Sequence, residues 1–207
     1  MYGYVIRLNR PILEAIHIGW PCLLALVDEE RTARYIKSFT QGHADSAARS
    51  LAAELLVRAM LCHRLGHARP QDLRMATGRY GKPFLAAVKH MNHKSCDERF
   101  PAAGLHFNIS HSDDWIAACV GYSPNGIDIQ TPPAKVSPST LRRLGLPPDT
   151  SPAALAQAWA KHEAALKAYG LGLYPNPINT QTLNKPAVTL RSYSLRGGCA
   201  LTMAELQ

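Results

Sequence analysis

Acidic charge is scarce in this 207-residue chain: 15 aspartates and glutamates stand against 23 lysines and arginines, a formal net charge of +8. Such a surface seeks phosphate, anionic lipid or an acidic protein. Charged residues of either sign make up only 18% against 46% hydrophobic, which excludes a disordered, solvating chain. No aromatic-basic interleaving occurs, so a nucleic-acid binder is not expected. The five cysteines (Cys22, Cys62, Cys96, Cys119 and Cys199) are odd in number, widely spaced and never in a CxxC pair. This argues against a disulfide framework or a zinc ribbon and favours a reducing setting. Met1–Arg10 lacks the apolar core of a secretion signal, and the apolar run Pro11–Val27 carries Glu14 and His17. The expectation is therefore a cytoplasmic protein that neither spans nor sits on a membrane.

What is present is a helical stretch, Trp159–Leu173. Trp159, Glu163 and Lys167 recur every four residues and so share one face. Ala156, Ala158, Ala160, Ala164, Ala165 and Ala168 supply helix propensity, and Gly170 and Gly172 are plausible terminators. Alone, Glu163 and Lys167 are an ordinary i, i+4 pair worth about 0.3–0.5 kcal/mol. Other stretches change that reading.

Tyr2–Leu8 alternates as a strand does, and Pro11 follows as a break. Asp28 can cap a helix carrying Arg31, Arg34 and Lys37 on one face, a solvated basic face or a phosphate grip. Asp45–Leu65 reads as a core helix with Ala47, Leu51, Leu55 and Ala59 on its stripe. Arg49 and Ser50 lie where a helix N-terminus meets an anion, while Arg58 reads as structural. Gly78–Pro83 is a turn carrying Arg79 and Lys82. Two histidine sets, His63/His67 and His90/His93 with Cys96, read better as a frayed helix end and a surface loop than as metal sites.

Leu105–Ser112 predicts a short strand, His106–Ile109, running into a Ser110-His111-Ser112 turn. No G-x-S-x-G elbow accompanies it, which argues against a serine hydrolase. Trp115–Tyr122 is the return strand, Asn125-Gly126 is a hairpin signal, and Ile127–Gln130 alternates. Asp128 is disfavoured inside a strand, which suggests a ligand or capping role. Thr131–Pro152, rich in proline, reads as a connection with at most one short helix, and the tail as two strands joined at Gly197-Gly198. Asp128 and Glu163 are oxygen donors suited to Mg²⁺, and Lys167, Lys82, His111, Arg49 and the Arg31/Arg34/Lys37 face are phosphate partners. Together they point to a multiply phosphorylated small molecule and phosphoryl or phosphodiester transfer.

Four motifs in order then carry a resemblance: Tyr80-Gly81-Lys82-Pro83, Phe107-Asn108-Ile109-Ser110-His111-Ser112, Gly126-Ile127-Asp128-Ile129, and Trp159 with Glu163-Ala164, Lys167 and Gly170. Over nearly its whole length the chain resembles the 4′-phosphopantetheinyl transferases of the surfactin-synthetase-activating type. The resemblance implies an α+β fold, a pseudo-twofold pair of similar α/β halves, here 1–123 and 124–207, with coenzyme A in the cleft. It implies Mg²⁺ on Asp128 and Glu163, with Gln130 as a third, neutral oxygen donor. Lys167 would neutralise the pyrophosphate, and His111 and Ser110 would bind coenzyme A phosphate oxygens. Arg49 and Ser50, with one or two of Arg31, Arg34 and Lys37, would take the 3′-phosphate, and Lys82 and Pro83 would flank the adenine nucleotide. A serine of an apo acyl or peptidyl carrier protein would attack the β-phosphate, with Glu163 as general base and 3′,5′-ADP leaving. The protein is expected to act as a monomer. The alternative is a catalytically impaired coenzyme A- or carrier-binding module of the same fold. Four departures stand out: Gln130 for a second glutamate, His162 for a lysine, a shortened proline-rich segment, and Asp113 where glycine is common.

Overall fold

Strand β1 (Tyr2–Arg7) forms where the sequence alternates and ends before Pro11, which lies in the first turn of a helix. In the computed structural model, which describes residues 1–66, 68–78, 80–89, 94, 97, 99, 101–171 and 187–207, Asn9 caps α1 (Arg10–Ile18). Its side chain accepts from the Ile12 amide, and Pro11 sits in the first turn, where a missing N–H costs nothing. With α2 (Trp20–Leu24), this helix folds the apolar run inward, burying Leu13, Trp20 and Leu24. Among the described residues no helix is long and apolar enough to cross a membrane.

The Asp28 side chain caps α3 (Glu29–Thr40), as its sequence predicts. The long α4 (Ala44–Leu65) buries Ala47 and Leu51 as expected, yet Ala59 is exposed. Its inner face turns instead through Glu54 and Arg58. The fully buried Arg58 guanidinium donates to Glu54, Asp28 and the carbonyls of Pro70 and Leu73. Glu54 also accepts from the Tyr35 hydroxyl, so one ionic cluster fixes α3 on α4. A charge pair can replace apolar residues there only because every donor is met.

Strands β2 (Leu73–Thr77) and β3 (Pro83–Val88) form a hairpin closed by the Gly78 amide on the Lys82 carbonyl. β4 (His106–Ser112) and β5 (Trp115–Gly121) complete a sheet of order β1-β5-β4. Ser110, His111 and Ser112 therefore lie in strand, not in a turn. The turn falls at Asp113, whose φ of 49° is the left-handed region that aspartate tolerates better than most residues. Its carboxylate accepts from the Thr131 hydroxyl, which gives this residue a structural role.

Asn125-Gly126 does not make a hairpin. Both residues are buried in β6 (Asn125–Gln130), which leaves β5 and opens a second sheet. After α5 (Pro138–Leu144) and α6 (Pro152–Ala168), β7 (Val188–Ser194) and β8 (Ala200–Leu206) complete it in the order β6-β8-β7. Each sheet thus places its last strand in the middle and its first at one edge. The inner face of β5, Ala117 and Cys119, packs on Ile127, Ile129, Leu201 and Met203 between the sheets.

Where β6 meets β4, side chains take the place of a backbone ladder. Asn108 Oδ1, Ser110 Oγ and Ser112 Oγ accept from the amides of Ile127, Ile129 and Thr131, at 3.4, 3.3 and 3.0 Å. Alternate residues of one strand thereby satisfy alternate amides of the other.

Candidate active site

Helix α6 lies close on the second sheet because its inner residues are small. Ala156 and Ala160 pack on Ala200, and Ala164 and Ala168 on Ala204, a stripe repeating every four residues. At Gly126 a Cβ would sit 2.1 Å from the Ala164 carbonyl oxygen and 2.6 Å from the Ala168 nitrogen. Only glycine admits this approach. The neighbouring face of α6 carries Trp159, Glu163 and Lys167, and it is brought over Asp128 at the centre of β6.

Asp128 is 1% exposed and its carboxylate is held from both ends. Oδ1 accepts from Lys167 Nζ at 2.6 Å and from the Ser110 hydroxyl at 2.8 Å, and Oδ2 from Gln130 Nε2 at 2.8 Å. Lys167 Nζ also donates to the Ile127 carbonyl and to Ser110 Oγ, both at 3.2 Å, and lies 3.9 Å from Glu163 Oε2. Burial and the nearby Asp128 carboxylate push the Glu163 carboxyl up to about 7, against the opposing pull of Lys167 and of a hydrogen bond from Trp159. One ammonium between two buried carboxylates leaves negative charge over, the condition in which a hard cation binds.

Beside this group lies a cationic corner. The His111 imidazole is held below its ordinary range by burial, then by the Lys167 and Arg49 charges. Arg49 reaches Asp114 at 3.4 Å, while its Nε is buried with no hydrogen-bond partner among the described residues. An anion here would meet the orphaned Arg49 donor and the Lys167 and Arg49 charges.

The remaining candidates are dispersed. Lys82 Nζ donates to the carbonyls of Asn125 and Lys167, at 2.9 and 2.7 Å, and so caps the C-terminus of α6. Pro83 opens β3 behind it. The α3 face divides: Arg31 turns inward, 3.8 Å from Glu54, while Arg34 and Lys37 are exposed. Ser50 is half-buried, its carbonyl accepting from the Tyr35 hydroxyl at 3.4 Å. Among the described residues no group of three or more His, Cys, Asp or Glu could hold a metal. His67, Arg79, His90, His93, Cys96 and Gly172 lie outside the described residues. A cavity of about 200 Å³ opens beside Gln130, bounded by Thr131, Pro133, Leu155 and Trp159. The sequence reading missed the anchoring role of Ser110; the alternation of Asn108, Ser110 and Ser112 was its one available signal.

Residues 14–121, just over half of the chain, match the family model described as 4′-phosphopantetheinyl transferase, N-terminal. The chain belongs to this family. Among curated relatives, a 4′-phosphopantetheinyl transferase of Bacillus subtilis is 27% identical over 183 residues, covering 82% of this chain and 70% of that protein. The 4′-phosphopantetheinyl transferase Sfp of Bacillus subtilis strain 168 is 28% identical over 127 residues, 61% of this chain and 47% of its own. The 4′-phosphopantetheinyl transferase gsp of Aneurinibacillus migulanus is 28% identical over 152 residues, 67% of this chain and 55% of its own. The chain thus spans about half the length of the latter two. The N-terminal family model itself ends at residue 121, before Asp128, Glu163 and Lys167.

Proposed function

We propose that this chain transfers the 4′-phosphopantetheine group of coenzyme A to a serine of an apo acyl or peptidyl carrier protein. The observation that carries the reading is the pair Asp128 and Glu163 around the Lys167 ammonium, next to the Arg49 guanidinium and the His111 imidazole. Two carboxylates and the Gln130 amide are a hard-oxygen set, which fits Mg²⁺ that also takes waters and substrate phosphates. Held by Asp128 and Glu163, Mg²⁺ would neutralise the pyrophosphate.

The chain's own groups do the rest. Lys167 shifts part of its contact from Asp128 to the pyrophosphate. Arg49 and His111 hold phosphate oxygens, and the exposed Arg34 and Lys37 draw in the 3′-phosphate. Glu163 takes the proton of the incoming serine, directly or through a water. The serine oxygen bonds to the β-phosphorus, the bond from that phosphorus to the bridging oxygen breaks, and 3′,5′-ADP leaves. The repeated strand order of the two sheets supports a pseudo-twofold pair of halves, 1–123 and 124–207; we propose that the chain acts as a monomer in the cytoplasm.

The test mixes the protein with Mg²⁺, coenzyme A and apo carriers of the fatty-acid, polyketide and peptide classes, and weighs the carriers. A gain of one phosphopantetheine group is expected. Coenzyme A binding with no gain on any carrier would leave the non-catalytic module as the function.

A further inference from the structure

We propose that Ser110 is a positioning residue that sets the Asp128 carboxylate for the metal, an inference that rests on the metal reading above. Its hydroxyl is buried, with the residue 6% exposed. A hydroxyl has one proton and two lone pairs. The proton goes to Asp128 Oδ1 at 2.8 Å, and the lone pairs accept from Lys167 Nζ at 3.2 Å and the Ile129 amide at 3.3 Å. Nothing remains for a phosphate oxygen. The amide that pins the hydroxyl belongs to the residue next to Asp128, so the same contact fixes strand β6 and its carboxylate. Gln130 holds the other oxygen, at 2.8 Å. Ser110 comes from the first sheet and its partners from β6 and α6. The geometry of the carboxylate is thereby referred to the other sheet, and partners of this kind govern metal affinity.

The ladder supplies a matched control. Ser112 makes the same type of contact, to the Thr131 amide at 3.0 Å, without touching Asp128. The experiment measures Mn²⁺ affinity by electron paramagnetic resonance, with Mg²⁺ competition, on wild type, Ser110→Ala, Ser110→Thr, Ser110→Cys and Ser112→Ala. Ser110→Ala should lose roughly tenfold or more in metal affinity. Ser110→Cys, of similar size but a weak donor, should follow it, and Ser110→Thr should restore most of the loss. Ser112→Ala should bind metal as wild type does. Coenzyme A affinity in chelator should not change in Ser110→Ala; a loss there would assign the hydroxyl to a phosphate and overturn the proposal. Undiminished metal affinity in Ser110→Ala and Ser110→Cys, or an equal loss in Ser112→Ala, would also overturn it. A wild type that transfers phosphopantetheine but binds no Mn²⁺ would remove the metal reading as well.

Discussion

Asp128 shows what a short side chain can do when the backbone around it is brought in close. It meets an ammonium, a hydroxyl and an amide at once, all within 2.8 Å. Asp128→Ala or Glu163→Ala should abolish transfer in the carrier mass assay, and near-wild-type activity in either would misplace the site. Lys167→Ala should chiefly lower turnover. It should also cost stability, about 3 kcal/mol, because Asp128 is left as an unpaired buried charge; chemical denaturation would read this. His106 supplies a pH dependence. Burial, then the Lys82 charge, lowers its imidazole to about 4 from the usual 6.5. Between these values the unfolded chain binds the proton and the folded chain does not. Stability from this residue is thus fully present above pH 6.5 and drains away as pH falls toward 4. His106→Gln should show a smaller drop in denaturation midpoint between pH 7 and pH 5 than wild type.

At the scale of elements, the close seat of α6 depends on the alanine stripe and on Gly126. Gly126→Ala would drive a methyl into the α6 backbone, 2.1 Å from the Ala164 oxygen. The expected loss is about 3 kcal/mol or more, with transfer failing as α6 moves off Asp128; a melting curve like wild type's would count against this packing argument. This element also marks how far the sequence could be read. Spacing alone put Trp159, Glu163 and Lys167 on one face, and the strand pattern put Ile127 and Ile129 in a core. Both depend only on helix and strand period. The Asn125-Gly126 signal misled because a local turn preference is overridden when a helix must pass within contact of the glycine. The inner face of α4 misled because Glu54 and Arg58 count as polar in any pattern, yet bury once their partners arrive from α3 and from Pro70 and Leu73. Partners distant in sequence leave no periodic trace.

For the whole molecule, the excess of 23 basic over 15 acidic residues is a field as well as a composition. Carrier proteins of net negative charge should be steered toward it. At subsaturating carrier, the transfer rate should fall roughly tenfold between about 50 and 500 mM salt, while saturating carrier restores turnover. Insensitivity to salt would show that docking is apolar. The two three-stranded sheets are joined near the site by Asn108, Ser110 and Ser112 bonding to every second amide of β6. Such a joint works only in one reading frame. Deleting a single residue within β4 would send the three oxygens to the opposite side of their strand and leave Asp128 without its hydroxyl. Deleting two would slide the pattern by one rung and keep it facing inward. A deletion scan along β4 should therefore show metal binding that vanishes and partly returns with a period of two.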